Sequence, residues 1–223
     1  MRGVSGVQRS GWGSTVFNRS SFQFLDPGPL RDGELQLVAP HERLADLLLQ
    51  AANHPMTLAM EPHEPRLNPQ QLADYLAAVP GGRLKADPST GRVPHYDFWM
   101  YVHDYPREPG GPPVPPPVQV AGTVTLRVGS TPPVERYYGH IGYHVYPPAR
   151  GRRFAERSCR LLLGLAQRHG LKTLWITCDP TNAASRRTCE RLGMRYVETV
   201  DVPQNDPLWA RGERVKCRYR LDL

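Results

Sequence analysis

Between Tyr137 and Val202 the chain switches four times between the two periods of regular structure. YYGHIGYHVYP (137–147) is aromatic and β-branched and reads as a strand. From about Arg152 to His169 apolar residues return every three or four positions, with Phe154, Leu161 and Leu165 flanked by Ala155, Leu162 and Ala166 on one face. KTLWITCD (172–179) is strand again, Asn182 to about Leu192 a shorter helix, and MRYVETVDV (194–202) a further strand. Gly170, with Leu171 behind it, and Gly193 stand where helix C-caps need a left-handed residue. A strand hides one face and an amphipathic helix one stripe, so this succession requires helices packed on a sheet and excludes all-helical and all-β layouts.

The rest of the chain extends that layout. ELQLVAP (34–40) alternates as a strand, HERLADLLLQAANH places Leu44, Leu47, Leu48 and Ala51 on one helical face, and NPQQLADYLAAV carries Pro69 at a first helical position before Gly81 and Gly82. HYDFWMYVHD (95–104) and VQVAGTVTLRVG (118–129) read as strands, and RVKCRYRLDL ends the chain as another. Residues 106–117 hold seven prolines in twelve positions and read as a polyproline-like excursion between neighbouring strands. The segment HPMTLAMEPHEPRL is read as a loop, and residues 1–32, rich in Gly, Ser and Arg with scattered aromatics (Trp12, Phe17, Phe22, Phe24), as an extended or poorly ordered arm. Residues 33–223 are read as one domain of α/β class with helices packed on a mixed sheet.

The formal net charge of +7 permits a phosphate-bearing ligand, nucleic acid or a membrane surface without choosing among them. No apolar run is long enough to span a bilayer and the first residues lack a secretory core, so the expectation is a soluble, cytoplasmic protein. Cys159, Cys178, Cys189 and Cys217 have neither CxxC nor Cys–His spacing; buried free thiols, and no metal, are expected.

A helix that starts directly after a strand exposes unpaired N–H groups and its positive dipole end, so the turn at 150–155 is a candidate anion site. Glu156 and Arg160 pair at i and i+4 on the wet face, which leaves Arg157, Arg160 and Arg168 explicable as solvated surface. Arg150, Arg152 and Arg153 are not, because cations at a helix N-terminus are unfavourable unless an anion joins them.

The run from Gly139 to Tyr196 resembles the core of the GNAT acetyltransferase superfamily, and more weakly the resemblance reaches from Leu35 to Leu223. The family motif [QR]-x-x-G-x-[GA], which holds the pyrophosphate of acetyl-CoA on backbone amides, falls on Arg150, Gly151, Arg152, Arg153, Phe154 and Ala155, with Arg153 in place of its glycine. Asn182 matches the Asn that touches the pantetheine arm, and Ser185 and Gly193-Met194 fit the usual course of that helix. Cys189 stands where many members carry a Tyr thought to protonate the departing thiolate.

The resemblance implies a mixed, mostly antiparallel central sheet with helices on both faces and a splayed strand pair, with strand 137–147 parted from 172–179 and pantetheine bound by main-chain groups at Tyr143 and Val145. It implies acetyl transfer to a primary amine by direct attack in a ternary complex, with acetyl-CoA as co-substrate. His140 is the candidate base, beside the reading of a hydrogen-bonded structural histidine, and Cys189 a candidate proton donor beside that of a packed thiol. Glu61, Glu64 and Asp74 are candidates to attract a cationic acceptor. The expected partners are an acyl-CoA and an amine, small molecule or peptide, with a possible homodimer and no membrane. Two alternatives stand: a CoA-binding relative without catalysis, and a basic nucleic-acid-binding module using Arg150 to Arg160 as a stripe.

Overall fold

The computed structural model describes residues 22–63, 66–106, 113–114 and 116–223. β1 (Arg31–Asp32) and β2 (Leu35–Val38) come first, and a 3-10 turn at Glu42–Leu44 leads into α1 (Ala45–Ala52), α2 (Pro55–Met60) and α3 (Pro69–Ala78). β3 (Arg83–Leu84), β4 (His95–Val102), β5 (Tyr105–Pro106), β6 (Pro113–Val114), β7 (Val120–Arg127) and β8 (Ile141–Val145) follow. α4 (Phe154–Arg168), β9 (Thr173–Cys178), α5 (Ala183–Arg191), β10 (Arg195–Asp201), α6 (Pro207–Ala210) and β11 (Val215–Asp222) complete the order.

The helices begin and end for local reasons. Asn68 and Gln71 form a reciprocal capping box around Pro69 at the head of α3. α4 stops where Leu171 N–H reaches back to the Ala166 carbonyl across left-handed Gly170. α2 lies inside the stretch read as a loop: His54 Nδ1 accepts the Met56 N–H at 3.1 Å and Pro55 presets the first φ, a start that apolar periodicity is too short to reveal.

Among the described residues all strand pairs are antiparallel. The larger sheet has the order β1-β2-β4-β7-β8 with β3 also on β4, and the smaller has β10-β11-β9. Phe98, Val124 and Tyr143 are cross-strand partners, and so are their neighbours Asp97, Thr125 and Gly142. Successive residues point to opposite faces. Tyr143 meets Ser185 of α5, whereas Asp97 accepts from Tyr75 of α3 and Thr125, so α3 and α5 cover opposite faces of the sheet. On the α4 side Cys159, Leu162, Leu165 and Ala166 are at most 2% exposed, and each buried Leu contributes about 1.5–3 kcal/mol.

β8 and β9, the edges of the two sheets, share no ladder. They touch at His140, whose N–H donates to the Trp175 carbonyl at 2.6 Å while its Nδ1 accepts the Trp175 N–H at 3.1 Å. Just before it Gly139 has φ 71° and ψ 161° and lies against β9 backbone. The expected strand over 137–147 is therefore shorter: Val134–Tyr138 is a π-type turn, and β8 begins only at Ile141. Tyr137 and Tyr138 favour strands by composition, but a Gly-only conformation separates them from the ladder.

The described part of the N-terminal arm, from Phe22, is extended but fastened. Phe24 packs edge-on against Tyr96, Phe22 stacks on His169, and Leu25 N–H donates to the Tyr96 hydroxyl at 2.7 Å. The packed body thus includes residues before position 33. Trp12, Phe17 and the centre of the proline-rich excursion (107–112 and 115) lie outside the described residues; its two ends pair as β5 and β6.

Candidate functional site

Where β8 leaves β9, a cleft opens that is walled by β8, the turn into α4, and α5. Tyr143, Val145, Arg150, Gly151, Arg153, Phe154, Ala155, Asn182 and Ser185 all line it, which gathers nine of the ten residues expected to hold the cofactor. The tenth, Arg152, extends away to Glu34 at 3.0 Å. In the β7–β8 ladder Tyr146 N–H bonds back to Ala121, so by alternation the N–H and C=O groups of Tyr143 and Val145 face the open side. Arg150 Nε occupies the Val145 carbonyl at 3.0 Å.

The amides of Phe154, Ala155 and Glu156 have no intrahelical acceptor, and Arg153 gives the helix no side-chain cap. Arg153 takes φ 57° and ψ 28°, the left-handed region. The turn therefore keeps the conformation a glycine at this motif position would favour, and the side chain is exposed.

The crowding of arginines has an internal answer that the sequence did not reveal. Arg150 pairs with Glu61 at the end of α2, Arg152 with Glu34, and Arg157 with Asp32 and Glu34. The Arg157 hydrogen bond, with help from Arg152, holds the Glu34 carboxyl down at about 2. For Arg150 and Arg152 the expectation of an external anion is thus corrected: acids distant in sequence, from β1, the β1–β2 turn and the C-cap of α2, offset the unfavourable dipole, while Arg153 has no such partner among the described residues.

Asn182 caps α5, its Oδ1 accepting the Ser185 N–H at 2.9 Å, and the Ser185 hydroxyl meets Tyr143 Oη at 2.8 Å. Burial pushes the Tyr143 phenol up, so it stays protonated.

The two catalytic candidates do not reach the cleft. His140 is fully buried, with Nδ1 on Trp175 and Nε2 at 3.1 Å from Ser130 Oγ; burial, then the Arg127 charge, lowers it to about 4. Accepting a backbone N–H at Nδ1 places its proton on Nε2, and with both nitrogens engaged it acts as a clasp between β8 and β9, not as a base within reach of an acceptor. Cys189 is also fully buried, absent from the cleft wall, and its thiol is pushed up by desolvation. It is a packed thiol, as are the other three cysteines.

A pairing that the sequence did not reveal, between His144 and the candidate Glu61, lies on the other face of β8. His144, 42% exposed at its side chain, lines the cleft and places Nε2 3.1 Å from Glu61 Oε1, beside the Tyr146 ring. Glu61 thereby joins α2, β8 and the α4 turn, and its buried Oε2 has no hydrogen-bond partner among the described residues. The sequence signal at this pair was the reading of Glu61 as a candidate to attract a cationic acceptor. Asp74 is exposed and accepts from Gln70, and Glu64 lies outside the described residues. Among the described residues no group of His, Cys, Asp and Glu forms a metal site, and no helix is long and apolar enough to cross a membrane.

Residues 34–195 match the family model described as the acetyltransferase (GNAT) domain. No curated protein matches the chain. Similar solved structures include the microcin C7 self-immunity acetyltransferase MccE in complex with acetyl-CoA and AMP, with 14% identity, TM-score 0.59, and 87% of this chain and 94% of that one covered. The ribosomal L7/L12 alpha-N-protein acetyltransferase RimL in complex with coenzyme A has 15% identity, TM-score 0.58 and coverage of 87% and 98%. An acetyltransferase from Agrobacterium tumefaciens has 18% identity, TM-score 0.52 and coverage of 92% and 100%. These likenesses show the fold, and the family model, spanning most of the sequence, shows the membership: the chain belongs to the GNAT acetyltransferase family.

Proposed function

We propose that the protein is an N-acetyltransferase that moves an acetyl group from acetyl-CoA to a primary amine by direct attack in a ternary complex. The observation that carries this reading is the cleft in which the uncapped first turn of α4 and the unladdered edge of β8 face one space. The α4 amides suit a diphosphate. The main-chain groups of Tyr143 and Val145 suit the amides of pantetheine, as an added strand would. Asn182 uses only its oxygen in capping α5, which leaves its NH2 group as a donor. Acetyl-CoA supplies an activated thioester whose thiolate, with a pKa of roughly 8.5 for an ordinary thiol, leaves without an obligatory acid; a buried Cys189 therefore removes nothing essential. The MccE and RimL structures, in complex with acetyl-CoA and coenzyme A respectively, support this choice of donor.

A lysine-like amine, of pKa roughly 10.4, must lose a proton before it attacks. His144 is the group placed to take it. Glu61 accepts from Nε2–H, which orients the ring and leaves Nδ1 as the acceptor. The nucleic-acid reading loses ground because Arg150, Arg152, Arg157 and Arg160 are tied to acids of the chain itself.

The test is Ala155→Asp. An acid in the first turn of α4 leaves helix stability unchanged or raises it by about 0.3–1 kcal/mol, yet occupies the space proposed for the diphosphate. Calorimetry should show acetyl-CoA affinity lower by about tenfold or more, equivalent to about 1.4 kcal/mol, with the melting temperature unchanged or higher. Undiminished binding would overturn the reading. Amine-dependent thioester loss in the wild type separates an enzyme from a CoA-binding relative without catalysis.

A further inference from the structure

The arginines around the cleft fall into two groups. Arg150, Arg152, Arg157 and Arg160 each have a carboxylate of the chain as partner. Arg153, Arg187 and Arg191 are exposed, line the cleft, and make no side-chain hydrogen bond or ion pair among the described residues. Arg187 and Arg191 lie one turn apart on α5, on the side that also turns Ala184 and Thr188 to the cleft. Arg153 reaches the same space from the turn before α4, held there by its left-handed backbone. Three arginines from two elements thus line one opening without a carboxylate partner among the described residues, in a molecule that pairs its other arginines at this corner with acids.

We propose that this rim is a subsite for the 3′-phosphate of coenzyme A, so that the protein discriminates acetyl-CoA from its 3′-dephospho form. The inference rests on the acyl-CoA reading of the cleft. With pantetheine along β8 and the diphosphate on the α4 amides, the phosphorylated ribose is what remains to leave the cleft. A phosphomonoester, with a second pKa near 6, carries close to two charges at neutral pH and three acceptor oxygens. Guanidinium forks match that geometry, whereas the diphosphate is served by main-chain donors. The two kinds of donor around the cleft therefore correspond to the two kinds of phosphate in the molecule.

The experiment is calorimetric titration of acetyl-CoA and 3′-dephospho-acetyl-CoA into the wild type and the Arg187→Ala/Arg191→Ala double variant, at roughly 0.15 M ionic strength so that long-range attraction is damped. Both arginines are exposed, without side-chain partners among the described residues, and alanine suits a helix, so the variant should fold. The wild type should prefer acetyl-CoA by about tenfold or more. The double variant should lose that preference to within about threefold while its affinity for the dephospho form holds, as expected when a charge-assisted contact to one phosphate is removed. Equal binding of both ligands by the wild type overturns the subsite and leaves the acyl-CoA reading intact. Equal weakening of both ligands in the variant also overturns it, since the arginines would then supply only a general field. If neither ligand binds the wild type, the acyl-CoA reading fails and the subsite with it.

Discussion

Gly139→Ala tests the feature on which the cleft depends, the point where β8 and β9 part. Gly139 has φ 71° and ψ 161°, a region open essentially to glycine alone, and holding a residue with a Cβ there costs about 1–3 kcal/mol. A Cβ at this position would also stand 3.0 Å from the Trp175 carbonyl oxygen, 3.1 Å from the Thr177 nitrogen and 3.2 Å from the Ile176 Cα, all of them β9 backbone. Backbone cannot rotate away as a side chain can, so the strands must separate or the turn distort, adding about 1 kcal/mol or more. The total of about 2–4 kcal/mol is a large share of the 5–15 kcal/mol typical of a folded protein. Urea denaturation should show it directly, and thermal melting should fall by about 5–15 °C for a chain of this size. Gly151→Ala is the control: its φ is 92°, but a Cβ there meets nothing within 4 Å, so it should lose only the conformational share. If the two variants lose the same stability, contact with β9 is not what holds the pivot, and the close approach at Gly139 does not set the splay.

Two further outcomes follow from the histidines. Because burial lowers His140 to about 4 from its ordinary 6.5, the unfolded chain takes up that proton first as pH falls. The stability held by neutral His140 is full above about pH 6.5 and is lost progressively toward pH 4, by up to about 3 kcal/mol; His169 and His95, also lowered by burial, act in the same direction. Urea titrations at pH 7.5 and 5 should show a shallower pH slope in His140→Gln, and an unchanged slope would contradict the assignment. His144→Gln should leave acetyl-CoA affinity unchanged but reduce amine-dependent thioester loss by about 100-fold; full activity across a panel of primary amines would remove His144 from the chemistry.

Much of the architecture was legible in the sequence. The change of period from Tyr137 onward and the glycine stops at Gly170 and Gly193 are local signals, each read over a few residues, and they located α4, β9 and α5 within two or three positions. The same locality explains why Arg150, Gly151 and Phe154 could be assigned to one turn, and that turn to an anion. What failed was equally local in origin: aromatic residues at 137–138 read as strand, and a short helix at Pro55–Met60 left no periodic trace.

The sequence alone determined the order of strands and helices and the motif turn, because hydrogen bonding and side-chain period are properties of contiguous residues. Only the tertiary structure decided which charges are neutralised and which remain open. Glu61 and Arg150, Glu34 and Arg157, and His140 and Trp175 are brought together across 89, 123 and 35 residues; the Arg157 hydrogen bond then lowers Glu34, and burial lowers His140. Electrostatic energy depends on distance through space and on solvent exposure, neither of which is a property of neighbouring letters in a chain.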